Sequence, residues 1–340
     1  MSVRRRRVPA ISLAVIVGAL VLGQLVVASA RPLPSSSPRR VGTDLDVTDP
    51  VIAAAGDIAC DPTAGGYNGG LGTGNKCKQM ATSDLLVAGG FDAVLALGDE
   101  QYECAGDSAF TASYAPSWGR VADVTYPAIG NHEYQTSGGS GCNPVPGRGY
   151  QNYFAAAGAP QLLGPNNAYY YSFDLGAWHL IALNANCGTV SCSAGSTQEA
   201  WLKQDLIDHP NSCVLAYWHQ PRFGSGSGKL ADNKSVAPLW SDLVAANADL
   251  VLNGHRHYYQ RLGKMDANGA ASATGVREMI VGTGGKSLAG HINTFWPTNE
   301  LFDFTHFGVL ELTLHPTSYD WSFVAIDGTV IDSGTDTCSV

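Results

Sequence analysis

Short apolar runs that end abruptly in a polar cluster recur along the chain after residue 50. Each run is rich in alanine and branched aliphatic residues, and each is followed, directly or after one glycine, by Asp, Asn or His. The runs cover residues 51–55, 91–97, 124–129, 178–183, 213–218 and 248–253. Such runs are typical of strands that are buried on both faces of a sheet.

Segments with helical spacing lie between these runs, at residues 76–88, 197–207 and 236–246. Alternation of buried strands with helices predicts the α/β class and a sandwich architecture. Ligands in open α/β sheets bind beyond the carboxyl ends of the strands. Every polar cluster stands at that end of its run, and we therefore expect the clusters to converge on one crevice.

The last third of the chain has a different pattern. Residues 307–314, 319–326 and 329–332 are strand-like, and turns such as Asp327-Gly328 join them. Consecutive strands with short turns are typical of antiparallel pairing. These strands are expected to complete a second sheet.

The first 50 residues differ from the rest. Four arginines at positions 4–7 precede an apolar run at residues 10–27, and Ala28-Ser29-Ala30 fits a small-residue cleavage site. Residues 1–30 are predicted to be a secretory signal peptide. An uncleaved membrane anchor is the alternative, because the run approaches the ~20 residues that span a bilayer. Residues 31–50, rich in Pro, Ser and Arg, are predicted to be a tether, and residues 51–340 to form one domain.

Charge separates the leader from the body. The 340 residues have a formal net charge of −9, yet residues 1–40 hold seven arginines and no acidic residue. Residues 41–340 therefore hold 13 basic against 29 acidic residues, a balance of −16. So acidic a body argues against a nucleic-acid-binding platform.

The polar clusters together contain a mixed set of oxygen and nitrogen ligands. In chain order the set is Asp57, Asp99, Tyr102, Asn131, His132, His219, His255 and His257. It is too large for one tetrahedral ion and contains no thiolate. Two ions would use it fully, and a pair of ions about 3.5–4 Å apart can clamp the attacking and leaving oxygens of a phosphoryl displacement.

Five motifs occur in order over residues 56–261. They are Gly56-Asp57, Gly98-Asp99 with Tyr102, Gly130-Asn131-His132-Glu133, His219, and Gly254-His255-Arg256-His257. Together they resemble the calcineurin-like metallophosphoesterases, and among these the purple acid phosphatase branch most closely. The resemblance implies a four-layer α-β-β-α sandwich with two mixed β-sheets, in which residues 51–340 form the catalytic domain.

The resemblance also implies a role for each residue of the set. Metal one would be bound by Asp57, Tyr102 and His257. Metal two would be bound by Asn131, His219 and His255. Asp99 would bridge the two ions, His132 would face the substrate and protonate the leaving group, and Glu133 would orient its neighbours from behind. A phenolate ligand suits a trivalent ion, so Fe(III) is expected at metal one and Zn(II), Mn(II) or Fe(II) at metal two.

The function implied is that of a secreted, metal-dependent phosphatase, a phosphoric ester hydrolase acting chiefly on monoesters. Metal-activated hydroxide would attack phosphorus in line, with His132 assisting the leaving group. The alternatives are a phosphodiesterase or nucleotidase on the same site, and a secreted metal- or phosphate-binding protein with weak catalysis. The expected partner is a small phosphoester, with no stable membrane partner unless the leader remains as an anchor.

Three positions depart from the usual pattern of close relatives. Gln220 follows His219 where a second histidine is usual, Glu100 follows the bridging Asp99, and Arg256 lies inside the last motif. No expected ligand is lost. These changes bear on rate, pH optimum and substrate preference rather than on metal binding.

The eight cysteines are predicted to form disulfides, because none has a zinc-site spacing and export places the body in an oxidising compartment. Eight cysteines allow 105 pairings. Our hypothesis is the scheme Cys60–Cys77, Cys104–Cys142, Cys187–Cys192 and Cys213–Cys338. The first three would close loops beside strand ends, and the last would tie the tail to a core strand.

Overall fold

The apolar runs of the sequence form the central strands of two β-sheets. A computed structural model describes residues 49–158, 164–210, 213–226 and 232–339. These residues belong to one compact unit, Thr48–Val340. The predicted signal peptide lies outside the described residues, as does the predicted tether apart from residues 49 and 50. Within the described part of the chain, no helix has both the length and the apolarity needed to cross a membrane.

The strands are, in chain order, β1 (Val51–Ala55), β2 (Ala93–Ala96), β3 (Thr125–Pro127), β4 (Tyr171–Leu175), β5 (Trp178–Ala182), β6 (Cys213–Tyr217), β7 (Leu250–Asn253), β8 (Tyr259–Leu262), β9 (Arg277–Val281), β10 (Asn299–Asp303), β11 (Gly308–His315), β12 (Ser318–Ala325) and β13 (Val330–Thr337). One sheet has the order β13-β12-β11-β1-β2-β3 and the other the order β10-β8-β9-β7-β6-β5-β4. Strands β1, β2 and β3 are parallel, as are β5, β6, β7 and β9, while the remaining pairings are antiparallel. The predicted α/β class with two mixed sheets is confirmed.

Alternation along the central strands explains the layers. In β6, Cys213, Leu215 and Tyr217 point into the core shared by the two sheets, whereas Val214 and Ala216 join a second apolar cluster on the other face. Because a strand turns successive side chains to opposite faces, a run that is apolar throughout can be buried on both. Burying each large apolar side chain stabilises the fold by roughly 1.5–3 kcal/mol.

The helices are α1 (Gln79–Gly89), α2 (Asp107–Ala109, continued by a π-helical turn at Phe110–Tyr114), α3 (Arg148–Ala157), α4 (Thr197–Asp208) and α5 (Ala237–Ala245). Helix α1 packs against β11 of the first sheet. Leu202 of α4 and Leu239 of α5 belong to the apolar cluster on the outer face of the second sheet. Ser196 caps α4, since its side chain accepts a hydrogen bond from the backbone N–H of Glu199. Two sheets between helices give the expected four layers.

The three predicted helices begin and end within three residues of α1, α4 and α5, but α2 and α3 were not predicted. Only Gly149, Tyr150 and Phe154 of α3 are buried. With so few apolar positions the helical period is weak, and long-range packing of the two aromatic rings stabilises the helix instead.

Four disulfides join the eight cysteines in the pairs that the sequence analysis proposed, namely Cys60–Cys77, Cys104–Cys142, Cys187–Cys192 and Cys213–Cys338. Cys213 is the first residue of β6, and Cys338 follows β13 directly. These two strands lie in different sheets. The last disulfide therefore links the two halves of the sandwich.

Candidate metal centre

The predicted ligands gather where parallel strands of both sheets end. Asp57 follows β1, Asp99 follows β2 and Asn131 follows β3, while His219 follows β6 and His255 follows β7. The carboxyl ends of these strands meet at one edge of the sandwich. The expected convergence of the polar clusters is what the structure shows.

Backbone conformation at these turns is unusual. Asp57, Asp99 and His255 have φ values of 60°, 51° and 66°. Non-glycine residues seldom adopt such angles, which cluster at functional sites. Gly98 has a φ of 87°, and a Cβ atom at that position would lie 2.6 Å from Nδ1 of His219. Glycine before Asp99 is therefore required by both the angle and the close approach of the imidazole.

The hydroxyl group of Tyr102 lies at the centre of one half of the site. Its Oη atom is 2.8 Å from Oδ1 of Asp57, 3.0 Å from Oδ2 of Asp99 and 3.2 Å from Nε2 of His257. Tyr102 is buried, and so are both aspartates. Four ligand-type side chains thus share one small volume.

Each aspartate has one oxygen held by a backbone N–H group. Oδ2 of Asp57 accepts a hydrogen bond of 2.7 Å from the N–H of His255, and Oδ1 of Asp99 accepts one of 2.8 Å from the N–H of His132. The other oxygen of each carboxylate remains directed at Tyr102. Oδ2 of Asp99 is also 3.1 Å from Nε2 of His219, so one oxygen atom faces both halves of the site.

The imidazoles are oriented through their second nitrogen atoms. Nδ1 of His219 lies 2.8 Å from the carbonyl oxygen of Leu97, to which it donates. Its Nε2 therefore points into the site, 3.3 Å from Nδ1 of His255. Ligand atoms of Asp99, His219 and His255 all lie within 4.8 Å of one another. Such support of the distal nitrogen is typical of metal-binding histidines.

Asn131 supplies the sharpest test of whether a metal fits. Its Oδ1 atom is buried and has no hydrogen-bond partner among the described residues. Leaving a buried acceptor unpaired costs about 1–3 kcal/mol, which a bound cation would offset. The surrounding donors are hard oxygen and imidazole nitrogen atoms, and all eight cysteines are in disulfides. The residues present fit a pair of metal ions that prefer oxygen and nitrogen ligands.

Charge coupling in the site is strong. Burial opposes ionisation of Asp57 and Asp99, but neighbouring imidazoles hold the pKa of each below its usual value. Burial lowers the pKa of His219, yet Asp99 outweighs it and raises that pKa to about 9. Burial, together with Asp57 and Asp99, raises the pKa of Tyr102 well above its usual range. A cation is therefore needed to hold Tyr102 as a phenolate.

Two buried glutamates lie behind Asp99. Oε2 of Glu133 accepts hydrogen bonds from the N–H groups of Asp99 at 3.0 Å and Gly130 at 2.9 Å, and Oε1 accepts from Gln101 at 3.3 Å. Burial and the Asp99 charge raise the pKa of Glu133 to about 7. Glu133 thus fixes the turn that carries Asp99. Burial and Glu133 raise the pKa of Glu100 well above its usual value.

His132 borders the ligand set and is partly exposed, with 21% of its side chain accessible. Its Nδ1 lies 2.6 Å from the carbonyl oxygen of Glu103, and its Nε2 is 4.0 Å from Oδ2 of Asp99. Lys286, which is not among the site residues expected from the sequence, pairs with the Glu103 carboxylate. Its Nζ atom lies 4.1 Å from the centre of the Tyr102 ring. The one sequence signal that could have placed Lys286 at the site is its position shortly after β9, since polar residues of the site also follow the other parallel strands.

The histidines outside the motifs have other partners. His306 bonds to Asp303 at 2.7 Å. His179 lies between Asp174 at 2.7 Å and Asp205 at 2.9 Å. Neither belongs to the ligand set.

The sequence profile of the calcineurin-like phosphoesterase family matches residues 51–259. The chain belongs to this family. Among curated proteins, Purple acid phosphatase 23 of Arabidopsis thaliana is 26% identical over 220 residues, which are 61% of this chain and 46% of that protein. Other purple acid phosphatases of the same plant match shorter segments. The predicted resemblance to the purple acid phosphatase branch is confirmed.

Solved phosphatase structures share the fold of this protein. A purple acid phosphatase from yellow lupin (Lupinus luteus) seeds aligns with a TM-score of 0.62 at 18% identity, over 85% of this chain and 53% of that one. A dimetal phosphatase from Danio rerio aligns with a TM-score of 0.54 at 14% identity, over 86% of this chain and 100% of that one. The chain spans about half or less of the length of the curated relatives it matches first.

Proposed function

We propose that this protein is a dimetal phosphoric ester hydrolase whose preferred substrates are phosphomonoesters. The observation that carries the proposal is the buried, unpaired Oδ1 of Asn131 beside a closed set of carboxylate, phenol and imidazole groups. A structural role alone would leave that acceptor unsatisfied. Membership of the family and the purple acid phosphatases among its relatives support the same reading.

The proposed ligands divide between two ions that share Asp99. One ion would be bound by Asp57, Tyr102 and His257. The other would be bound by Asn131, His219 and His255. Bound cations would supply the positive charge that draws in phosphate oxygens and lowers the pKa of water. Asp99 suits the shared position because its Oδ2 atom faces both Tyr102 and His219.

His132 is proposed as the proton donor to the leaving oxygen. Its Nδ1 donates to the carbonyl oxygen of Glu103, which leaves Nε2 for the cleft. That Nε2 atom lies 4.0 Å from Oδ2 of Asp99, and a ring that carries a proton there can give it to an alkoxide. Glu133 holds the backbone of the Asp99 turn, so the donor and the shared ligand keep their relative positions.

Fe(III) at the Tyr102 ion, with Zn(II), Mn(II) or Fe(II) at the other, is part of the proposal. A buried phenol that becomes a phenolate only beside a strong cation supports a trivalent ion. Elemental analysis together with a visible spectrum tests it. We expect two metal ions per chain and a tyrosinate-to-iron charge-transfer band, whereas a colourless protein with zinc only would overturn the iron assignment.

Hydrolysis of p-nitrophenyl phosphate and bis-p-nitrophenyl phosphate by the metal-loaded protein tests the reaction class. A higher kcat/KM for the monoester is expected. A higher value for the diester would favour the phosphodiesterase alternative. Protein that holds two metals and hydrolyses neither ester would refute the enzyme proposal and favour a binding protein.

Export of the mature protein from the cytosol is also proposed. Four disulfides support it, because disulfides persist in oxidising compartments. The sequence pattern of residues 1–30 supports a cleaved leader. Amino-terminal sequencing of protein recovered from the culture medium is expected to begin near Arg31, and full-length protein retained in the membrane fraction would favour the anchor instead.

A further inference from the structure

Arg256 stands between two of the proposed ligands, His255 and His257, and has no carboxylate partner among the described residues. Its Nε atom is buried and makes no hydrogen bond. Two other arginines of the domain are neutralised by a carboxylate: Arg120 pairs with Asp84, and Arg222 pairs with Asp232. A half-buried guanidinium without a counter-charge calls for an explanation, because desolvating a charge is costly.

A cavity of about 640 Å³ is lined by residues that include Arg256 and His257. None of the described residues that line it is acidic, and Arg256 is its permanently charged group. Arg256 also lines a smaller cavity of about 210 Å³. Asp232 is the one carboxylate residue among the described residues that line it, and that carboxylate is already paired with Arg222. The region beside the metal centre therefore favours an anion although the protein as a whole is acidic.

The size and walls of the larger cavity indicate what kind of anion. Its volume is within the roughly 300–1,000 Å³ of sites that bind small organic molecules, so it has room for more than one phosphate group. Tyr258, Leu288 and Ile292 form an apolar part of the wall, and Ser287 adds a hydroxyl. An organic group could pack on the apolar wall while a charge at its far end meets the guanidinium.

Resting on the function proposed above, we propose that Arg256 binds a second anionic group of the substrate. The enzyme would then prefer phosphomonoesters whose leaving group carries a carboxylate or a further phosphate. Arg256 is in this view a specificity residue, since the ions and His132 act on the phosphate that is removed. Arginine suits the role because its planar fork recognises carboxylate and phosphate groups in a bidentate manner.

A matched pair of substrates isolates the charge. 4-Carboxyphenyl phosphate and 4-carbamoylphenyl phosphate have nearly the same shape, and only the first carries a second anion. The unaltered enzyme is expected to favour the carboxylate by about 10-fold in kcat/KM, mainly through KM, as for one partly exposed charge-assisted contact. Arg256→Met should bring the ratio of the two values close to one, and Arg256→Lys should restore part of it.

Arg120→Met is the control, because it removes an arginine that pairs with Asp84 and is not one of the motif residues. It should keep the ratio of the unaltered enzyme. A ratio that Arg256→Met leaves unchanged would overturn the inference, even with full hydrolysis of both esters. The proposed function would then stand.

Calorimetry of the binding of the corresponding phosphonates tests the anion site without relying on hydrolysis. The carboxylated phosphonate should bind the metal-loaded protein about 10-fold more tightly than the amide, and Arg256→Met should abolish that difference. If neither ester is hydrolysed but this difference is found, the anion site stands and the proposed activity falls. Equal binding of the two phosphonates would overturn the anion site.

Discussion

Replacing His132 with alanine tests whether its ring acts in the reaction, because the ring and the backbone of His132 make separate contacts in the site. The backbone N–H of His132 donates to Asp99 at 2.8 Å and remains in the variant. The change removes the ring, its hydrogen bond to the carbonyl oxygen of Glu103 and its contact with the Tyr102 ring at 4.3 Å. Loss of one hydrogen bond from a partly exposed ring should cost about 1 kcal/mol of stability. The ligand set should therefore survive.

The kinetic effect should be much larger than the effect on stability. A positioned general acid contributes about 10²–10⁴-fold, or roughly 2.7–5.5 kcal/mol of activation free energy. The loss should depend on the leaving group, since p-nitrophenolate departs readily without a proton and an alkoxide does not. We expect kcat for p-nitrophenyl phosphate to fall about 10²-fold, and kcat for glycerol 2-phosphate to fall about 10⁴-fold.

Steady-state kinetics with both esters, together with metal analysis of the same sample, measure this effect. His306→Ala is the matched control, because His306 bonds to Asp303 and lies outside the ligand set. The control should keep both the activity and the metals. An unchanged kcat in His132→Ala would remove His132 from the reaction, an equal loss for both esters would argue against proton donation, and loss of metal would show that the residue is a ligand.

Three further substitutions test the metal ligands, the turn before Asp99 and a disulfide. Tyr102→Phe removes the oxygen that Asp57 and Asp99 approach, so the visible band should vanish and metal analysis should show less of the first metal ion per chain. A retained band would reject Tyr102 as a ligand. Gly98→Ala places a methyl group 2.6 Å from Nδ1 of His219 at a φ of 87°, and should lower both metal content and thermal stability, whereas normal metal content would refute the steric argument. Replacing Cys213 and Cys338 with serine opens a 125-residue separation; by the chain-entropy relation this costs about 5 kcal/mol, measured by urea unfolding, and a change below about 1 kcal/mol would contradict it.

The sequence predicts those parts of the fold and the site that depend on a single local pattern. A strand buried on both faces has to be apolar throughout, and a ligand at its end needs a tight turn, so glycine followed by Asp, Asn or His marks the position. This is why Asp57, Asp99 and His255 were predicted together. The sequence pattern does not predict their left-handed backbone angles, although a glycine before each of them is consistent with a turn that has no room for a side chain.

Features that depend on distant partners could not be predicted in the same way. Helix α3 is stabilised by burial of Tyr150 and Phe154 in the main core rather than by a regular apolar period. Lys286 reaches Glu103 and the Tyr102 ring only because β9 lies beside β7 in the second sheet. No spacing in the sequence records that neighbour relation.

Hydrogen bonds within the site join the two sheets to each other. The N–H of His255, after β7, donates to Asp57, after β1. His219, after β6, donates through Nδ1 to Leu97, which follows β2. Buried carboxylates survive only when they are paired. Asp57 is paired across the two sheets by the N–H of His255, and Asp99 is paired both within its own sheet, by the N–H of His132, and across to the other sheet, by His219. The carboxylates and imidazoles are thus already held in place by backbone groups of the sandwich, so binding of cations should require little rearrangement of the chain.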